Sequence, residues 1–160
     1  MAHVEHMVQA SAEDTFAVLS DGWSYAAWVV GATHIRDVDP GWPAEGTRLH
    51  YRAGVWPFTV DDITQVSAVD PPRLLELEAK LRPFGSAWIR LELTETAPGR
   101  TRVRMHEHTK HGPGTWVPDI IQELLLMPRN QESLSRLADI VVGRSRDTAD
   151  GDQDQDTSRT

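Results

Sequence analysis

The spacing of apolar and polar residues changes its period along the chain. From Val117 to Val142, apolar side chains recur at intervals of three, four or seven residues, which predicts one long amphipathic helix. Pro128 should kink this helix without ending it, because the apolar stripe keeps its phase, and Gly143 should terminate it. The stripe consists of Ile120, Leu124, Met127, Leu134, Leu137 and Val141.

Between Ala32 and Thr109 the period is close to two, which is typical of strands separated by turns. A first strand, His3–Val8, comes earlier and is followed by two short helices, the first capped by Ser11. This order predicts an α+β fold: a curved antiparallel sheet of about seven strands around the C-terminal helix, with a hollow between them. The later strands are predicted at Thr33–Val38, Thr47–Gly54, Phe58–Val69, Leu74–Leu81, Ala87–Thr94 and Thr101–Thr109.

Alternation within the strands assigns one apolar face and one charged face to the sheet. Two acids follow the apolar register inward, Glu107 after Met105 and Asp62 after Val60, although a bulge at Asp61–Asp62 would turn Asp61 inward instead. The residues expected to line a ligand cavity are Trp28, Leu49, Tyr51, Val60, Leu77, Ala79, Ile89, Leu91, Val103, Met105, Leu124 and Met127.

Composition limits the class of protein and its partners. The 160 residues, 39% hydrophobic and with six Trp, suit one folded domain over residues 1–144, followed by a disordered acidic tail at 145–160. A net charge of −8 disfavours nucleic acid and anionic membranes as partners. The first residues lack the pattern of a signal peptide, and no stretch is apolar enough for a membrane span. The expected location is therefore the cytoplasm, and the oligomeric state is left open.

The inward acids are the candidates for chemistry. A cavity carboxylate could move a proton beside a substrate carbonyl, and a phenol could hydrogen-bond an enolate oxygen. The candidate catalytic residues are accordingly Asp62, Glu107 and Tyr51. The alternative is that each acid pairs with an arginine or caps a turn near the rim of the sheet.

Other polar and aromatic residues have structural explanations as well as functional ones. His106 and His108 share a strand face and could bind zinc, but that face is the charged outer one, so no metal site is predicted. Trp23, Tyr25 and Trp28 could gate the hollow or pack as core. Arg129-Asn130, just after Pro128, is interpreted as structural. No phosphate loop or nucleophile motif is present, and no cofactor is expected.

Several segments resemble the START-like (SRPBCC) superfamily, the helix-grip fold that includes Bet v 1. More narrowly, the chain is similar to its actinobacterial branch of polyketide cyclases/dehydrases and lipid transport proteins, over about Val4 to Arg144. The segments are Asp21-Gly22-Trp23 through Trp28 to Ala32, Trp42-Pro43 with Gly46-Thr47, Gly54 to Pro57, Asp62 with Thr64 and Val66, Pro71-Pro72, Arg82-Pro83 with Gly85, Thr101-Arg102-Val103 with Glu107, and Arg129-Asn130 with Glu132 and Leu134.

The resemblance implies a cavity fold that serves several functions. The first hypothesis is a protein that binds a small hydrophobic ligand, lipid-like or polyketide-like, between the sheet and the C-terminal helix. The second is a cyclase or dehydratase that uses the cavity carboxylates as general acid and base. The third is a protein-interaction module in which the long helix and the acidic tail meet a partner.

Overall fold

A single seven-stranded antiparallel sheet organises the chain, as the sequence predicts. The computed structural model describes residues 2–55, 57–81, 85–111 and 119–157. The strands are β1 (Ala2–Val8), β2 (Ala32–Val38), β3 (Arg48–Val55), β4 (Phe58–Asp70), β5 (Leu74–Leu81), β6 (Gly85–Ala97) and β7 (Arg100–His111). The helices are α1 (Ala12–Leu19), α2 (Tyr25–Trp28) and α3 (Asp119–Thr157), and a short 3₁₀ turn joins α1 to α2.

The strand order is β1-β7-β6-β5-β4-β3-β2, so consecutive strands from β2 to β7 are neighbours and β1 closes on the last strand. In the β1–β7 pair His3 lies opposite His106, and their rings stack with centroids 4.8 Å apart. The helix-grip architecture is confirmed, because the helices cover the inner face of this antiparallel sheet.

The core lies between the inner face of the sheet and the helices. Strand alternation holds along β5, where Leu75, Leu77 and Ala79 are buried while Lys80 is exposed. Helix α3 supplies Leu134, Leu137, Ala138 and Val141, all of them buried. Their spacing of three and four residues explains why this stretch is amphipathic. No helix among the described residues is long and apolar enough to cross a membrane.

The sequence predicts the start of helix α1 correctly but not the end of helix α3. Helix α1 begins as expected, with the Ser11 hydroxyl accepting a 3.1 Å hydrogen bond from the Asp14 amide. Helix α3, by contrast, continues through Gly143 to Thr157, where a disordered tail was expected after residue 144. A glycine inside a helix costs only about 1 kcal/mol, which is too little to end a helix whose flanking turns are bonded. The Ser145 hydroxyl donates to the Val141 carbonyl oxygen at 3.0 Å, and Arg144 pairs with Asp21 at 2.8 Å.

Candidate functional site

A cavity of about 190 Å³ lies between the sheet and helix α3. Its floor is apolar and comes from the inner faces of three adjacent strands: Leu77 and Ala79 on β5, Ile89 on β6 and Met105 on β7. Aromatic rings form one wall, and a charged pair stands at the helix side. The lining residues of β5 are two positions apart, as are Met105 and Glu107 on β7, because only every second side chain points inward.

Three aromatic rings form the wall. Tyr25 and Trp28 come from the short helix α2, and their rings meet edge to face with centroids 5.3 Å apart. Tyr51 on β3 lies tilted against Tyr25 at 5.6 Å. All three are at least 96% buried, and all three line the cavity. Of the two interpretations of this aromatic cluster, Tyr25 and Trp28 fit both core and wall, whereas Trp23 is 59% exposed and does not line this cavity.

The charged pair consists of Glu107 on β7 and Arg129 on α3. Glu107 is 1% exposed, and both of its carboxylate oxygens accept from Nη2 of Arg129, at 2.6 and 2.5 Å. Burial disfavours the charged form of Arg129, but the attraction and hydrogen bonding of Glu107 outweigh it and raise the guanidinium pKa. The buried carboxylate therefore has a dedicated counter-ion.

One turn of α3 holds this pair and also anchors the neighbouring loop. The buried Asn130 accepts from Nε and Nη2 of Arg129 at 3.3 and 3.2 Å, which fixes the guanidinium plane. Ser133 donates to the Arg129 carbonyl oxygen at 2.9 Å and accepts from the Val30 amide at 3.1 Å. Helix α3 is thereby tied to the loop between α2 and β2.

That loop also lines the cavity, through Val30 and Gly31. Gly31 is exposed, and its carbonyl oxygen accepts a 3.1 Å hydrogen bond from the amide of Gly54, so the two lining segments are bonded to each other. Both glycines have positive φ, +102° and +111°, a backbone conformation that side chains disfavour. At Gly54 a Cβ would also collide with the Phe58 carbonyl oxygen, so the β3–β4 hairpin requires glycine there.

Tyr25 and Tyr51 line the polar end of the cavity, and the hydroxyl of Thr64 contacts both of them. Thr64, fully buried on β4, donates to the Tyr51 oxygen at 3.4 Å and also bonds Tyr25. Burial raises the pKa of both phenols above its usual value, and the charges of Glu107 and Arg129 act on both in opposite directions. Both tyrosines consequently stay protonated at neutral pH and can donate hydrogen bonds.

The structure brings together part of the predicted site. Glu107 and Tyr51 line the cavity, whereas Asp62 is 2% exposed, lies opposite Tyr51 in the β3–β4 pair and lines no part of the cavity. The register through Asp61–Asp62 is unbroken, so the bulge alternative is excluded. Among the predicted apolar lining residues, Trp28, Leu77, Ala79, Ile89 and Met105 lie in the wall, while Leu49, Leu91 and Val103 are buried in the core beside it.

Two predicted lining residues are misplaced. Val60 is 38% exposed because the tip of the β3–β4 hairpin projects past β5, whose pairing with β4 begins only at Thr64. Met127 is 43% exposed because the buried stripe of the described helix starts at Asn130, one turn later. Leu124 lies outside the residues whose side chains the structure describes.

Arg129 is the main site residue that the sequence interpretation missed. The sequence pattern favours a structural role for it beside Pro128 without naming a partner, whereas in the structure Arg129 pairs with Glu107. Two signals together could have found it: an acid on the inner face needs a cation, and Arg129 flanks the inward stripe of the helix. On the outer face of β7, the His106 ring lies 3.6 Å from Glu92. In the described part of the chain no cluster of metal-binding side chains occurs.

Comparisons with known proteins agree with this architecture. A family model described as polyketide cyclase/dehydrase and lipid transport matches residues 1–142. Among solved structures, the Zhui aromatase/cyclase from Streptomyces sp. R1128 is 18% identical, with a TM-score of 0.66 over 89% of this chain and 94% of that one. A START superfamily protein from Mycobacterium smegmatis is 18% identical, with a TM-score of 0.61 over 92% and 97%. Ara h 8.0201, also 18% identical, gives 0.63 over 88% and 96%. No curated protein matches the sequence significantly.

Proposed function

Since the chain belongs to the polyketide cyclase/dehydrase and lipid transport family, we propose that it binds a small hydrophobic ligand in the cavity between the sheet and helix α3. The observation that carries the proposal is the cavity itself, an apolar space with hydroxyl groups and a charged pair at one end. Pockets of this kind bind through apolar burial and orient the ligand through a few polar groups.

The geometry supports binding more than proton abstraction. Arg129 holds both oxygens of Glu107, so this carboxylate has no oxygen free of a charged partner. The two cavity phenols have raised pKa values and are therefore donors and not bases at neutral pH. Asp62 lies outside the cavity wall. The cyclase or dehydratase hypothesis would thus need a base that these side chains do not offer.

The apolar part of the binding energy is modest. Burial of about 150 Å² of ligand surface at about 25 cal/mol per Å² gives roughly 4 kcal/mol, before the cost of immobilising the ligand. This corresponds to a Kd of about 1 mM from apolar contact alone. Tighter binding has to come from the polar end of the cavity.

Native mass spectrometry of the full chain tests the proposal. The protein is measured as purified and after incubation with a panel of apolar compounds, from one-ring and two-ring aromatics to hexadecanoate. We expect a one-to-one complex with at least one member. Ala53→Phe and Ala79→Trp fill the cavity from two sides and should abolish that complex.

Ala68→Phe is the matched control, because it makes a comparable change on β4 at a half-buried position that does not line the cavity. It should leave the complex intact. Binding that survives both filling variants would show that the ligand sits elsewhere, and a chain that binds no member of the panel would contradict the proposal.

The two carboxylates are compared by ligand affinity in the same assay and by turnover of any compound that the protein converts. Glu107→Gln and Asp62→Asn should each keep the affinity for a neutral ligand within about tenfold if the protein is a carrier, whereas an acid–base enzyme would lose ~10²-fold in turnover.

A further inference from the structure

We propose that the cavity selects a neutral one-ring aromatic compound that carries a carbonyl group, and that the paired Glu107 excludes carboxylates. This inference rests on the proposed binding function and adds the class of ligand. Four observations carry it: the volume of the cavity, its aromatic wall, the hydrogen bond from Thr64 to Tyr51 and the balance of charge at the polar end.

Volume sets the size of the ligand. An apolar cavity of about 150 Å³ accommodates one benzene ring, and this cavity measures about 190 Å³. The difference of roughly 40 Å³ is a little more than the ~30 Å³ that a water molecule occupies in the liquid. One ring with a substituent of a few atoms therefore fits, whereas a second fused ring or a long acyl chain exceeds this volume.

The wall favours a ring over an aliphatic group of equal size. Tyr25, Trp28 and Tyr51 surround one side of the cavity with centroids 5.3 and 5.6 Å apart. Aromatic pairs gain energy from tilted and edge-to-face contacts beyond the surface that they bury. The floor opposite is formed by aliphatic side chains, so a planar ligand would lie between a flat wall and an adaptable one.

The hydrogen bond between Thr64 and Tyr51 indicates why the ligand should carry a carbonyl group. Thr64 donates its one hydroxyl proton to the oxygen of Tyr51, so the proton of Tyr51 itself is directed to some other acceptor. Tyr51 lines the cavity and remains protonated there, as described above. A ligand oxygen beside this phenol would accept that hydrogen bond.

Charge explains the preference for a neutral ligand. Arg129 would attract a carboxylate, but Glu107 already occupies its Nη2 with both oxygens. The pair is formally neutral, and the buried carboxylate of Asp62, the neighbour of Tyr51 in the β3–β4 pair, adds negative charge near the phenol. An anionic ligand would therefore lose its hydration and meet negative charge without a free cation.

The test uses three probes of nearly equal size in NMR titrations of the full chain: acetophenone, ethylbenzene and benzoate. The amides of Val30, Gly31 and Gly54, which line the cavity, report binding. We expect acetophenone to bind about fivefold tighter than ethylbenzene, the value of one hydrogen bond, and benzoate to bind most weakly. This ranking needs no variant. Tyr51→Phe should then reduce acetophenone to the affinity of ethylbenzene and leave ethylbenzene unchanged.

The decisive variant is Glu107→Gln. It removes the negative charge that balances Arg129 and should strengthen benzoate binding by about tenfold or more, with little change for ethylbenzene. Glu92→Gln makes the same substitution on the solvent face of the sheet, where Glu92 pairs with Arg90, and should change none of the three.

The outcomes separate this inference from the proposed function. Equal affinity for acetophenone and ethylbenzene, or benzoate as the strongest ligand of the unmodified protein, overturns the inference and leaves a hydrophobic binding site. Binding of hexadecanoate or a two-ring ketone without any binding of acetophenone also overturns the inference alone. If no apolar probe binds, both proposals fail together.

Discussion

Replacing Arg129 by Met should destabilise the fold more than any other single change at the polar end of the cavity. Glu107 is 1% exposed, and Arg129 supplies the hydrogen bonds to both of its oxygens. Removing one partner of a buried ion pair leaves an uncompensated charge and costs about 3–5 kcal/mol. Glu107→Gln should cost less, about 1–2 kcal/mol, because the Arg129 side chain is 31% exposed and can be hydrated, and the amide oxygen still accepts.

Urea unfolding followed by tryptophan fluorescence measures the difference. Domains of this kind have total stabilities of about 5–15 kcal/mol and urea slopes of about 1–3 kcal/mol per M, so the Arg129→Met midpoint should fall by at least about 1 M. Arg90→Met is the matched control. Arg90 bonds Glu76 and Glu92 at 2.8 Å on the outer face, where solvent screens the charges, and its loss should cost about 0–1 kcal/mol.

A double variant tests the reason for the effect. Arg129→Met combined with Glu107→Leu removes both charges, so it should recover much of the stability that Arg129→Met alone loses. The reasoning is refuted if Arg129→Met costs no more than Arg90→Met. It is also refuted if the double variant loses as much stability as Arg129→Met and Glu107→Leu lose separately, added together, because the two groups would then not be coupled.

Two further predictions concern the tyrosines of the cavity wall and the two glycines that line the cavity. Tyr25 and Tyr51 are the only tyrosines of the chain, and burial raises the pKa of both, so their stabilising contribution is complete below about pH 10 and is lost as the pH rises above it. Tyrosinate absorbance should therefore appear together with unfolding, and tyrosinate formed near pH 10 in the intact fold would contradict this. Gly54→Ala should lower the thermal midpoint more than Gly31→Ala, because both residues have positive φ but only Gly54 would also clash with Phe58. Equal shifts would show that backbone strain alone matters.

Strand faces are the part of the site that the sequence predicts well. Leu77, Ala79 and Met105 point into the cavity, as alternation requires, and Glu107 follows Met105 inward. Alternation is a local property of an extended chain, so it survives whatever the rest of the fold does. This is why an acid could be placed on the inner face without knowledge of its partner.

How far neighbouring strands and helices bury those faces does not follow from the local sequence pattern. Val60 has the same inward phase as Asp62, yet one is 38% exposed and the other 2%. The pairing of β5 with β4 ends at Thr64, so Asp62 lies two residues beyond the paired region and Val60 lies four residues beyond it. Where that pairing ends depends on the register of a neighbouring strand. Met127 fails for the same reason on the helix, where the period gives the face but not the point at which the sheet begins to cover it.

The pairing of Glu107 with Arg129 shows how the direction of a side chain and its burial by a neighbouring element together affect function. A carboxylate on the inner face could be a catalytic group or a fixed part of the fold, and only the rotation of α3 against the sheet decides between them. With Arg129 turned toward β7, the charge of Glu107 is balanced within the protein and needs no ligand to balance it. Specificity is then left to uncharged groups, the hydroxyl of Tyr51 and the aromatic rings around it. A cavity whose charges are already paired should therefore prefer a neutral ligand, whichever compound it meets in the cell.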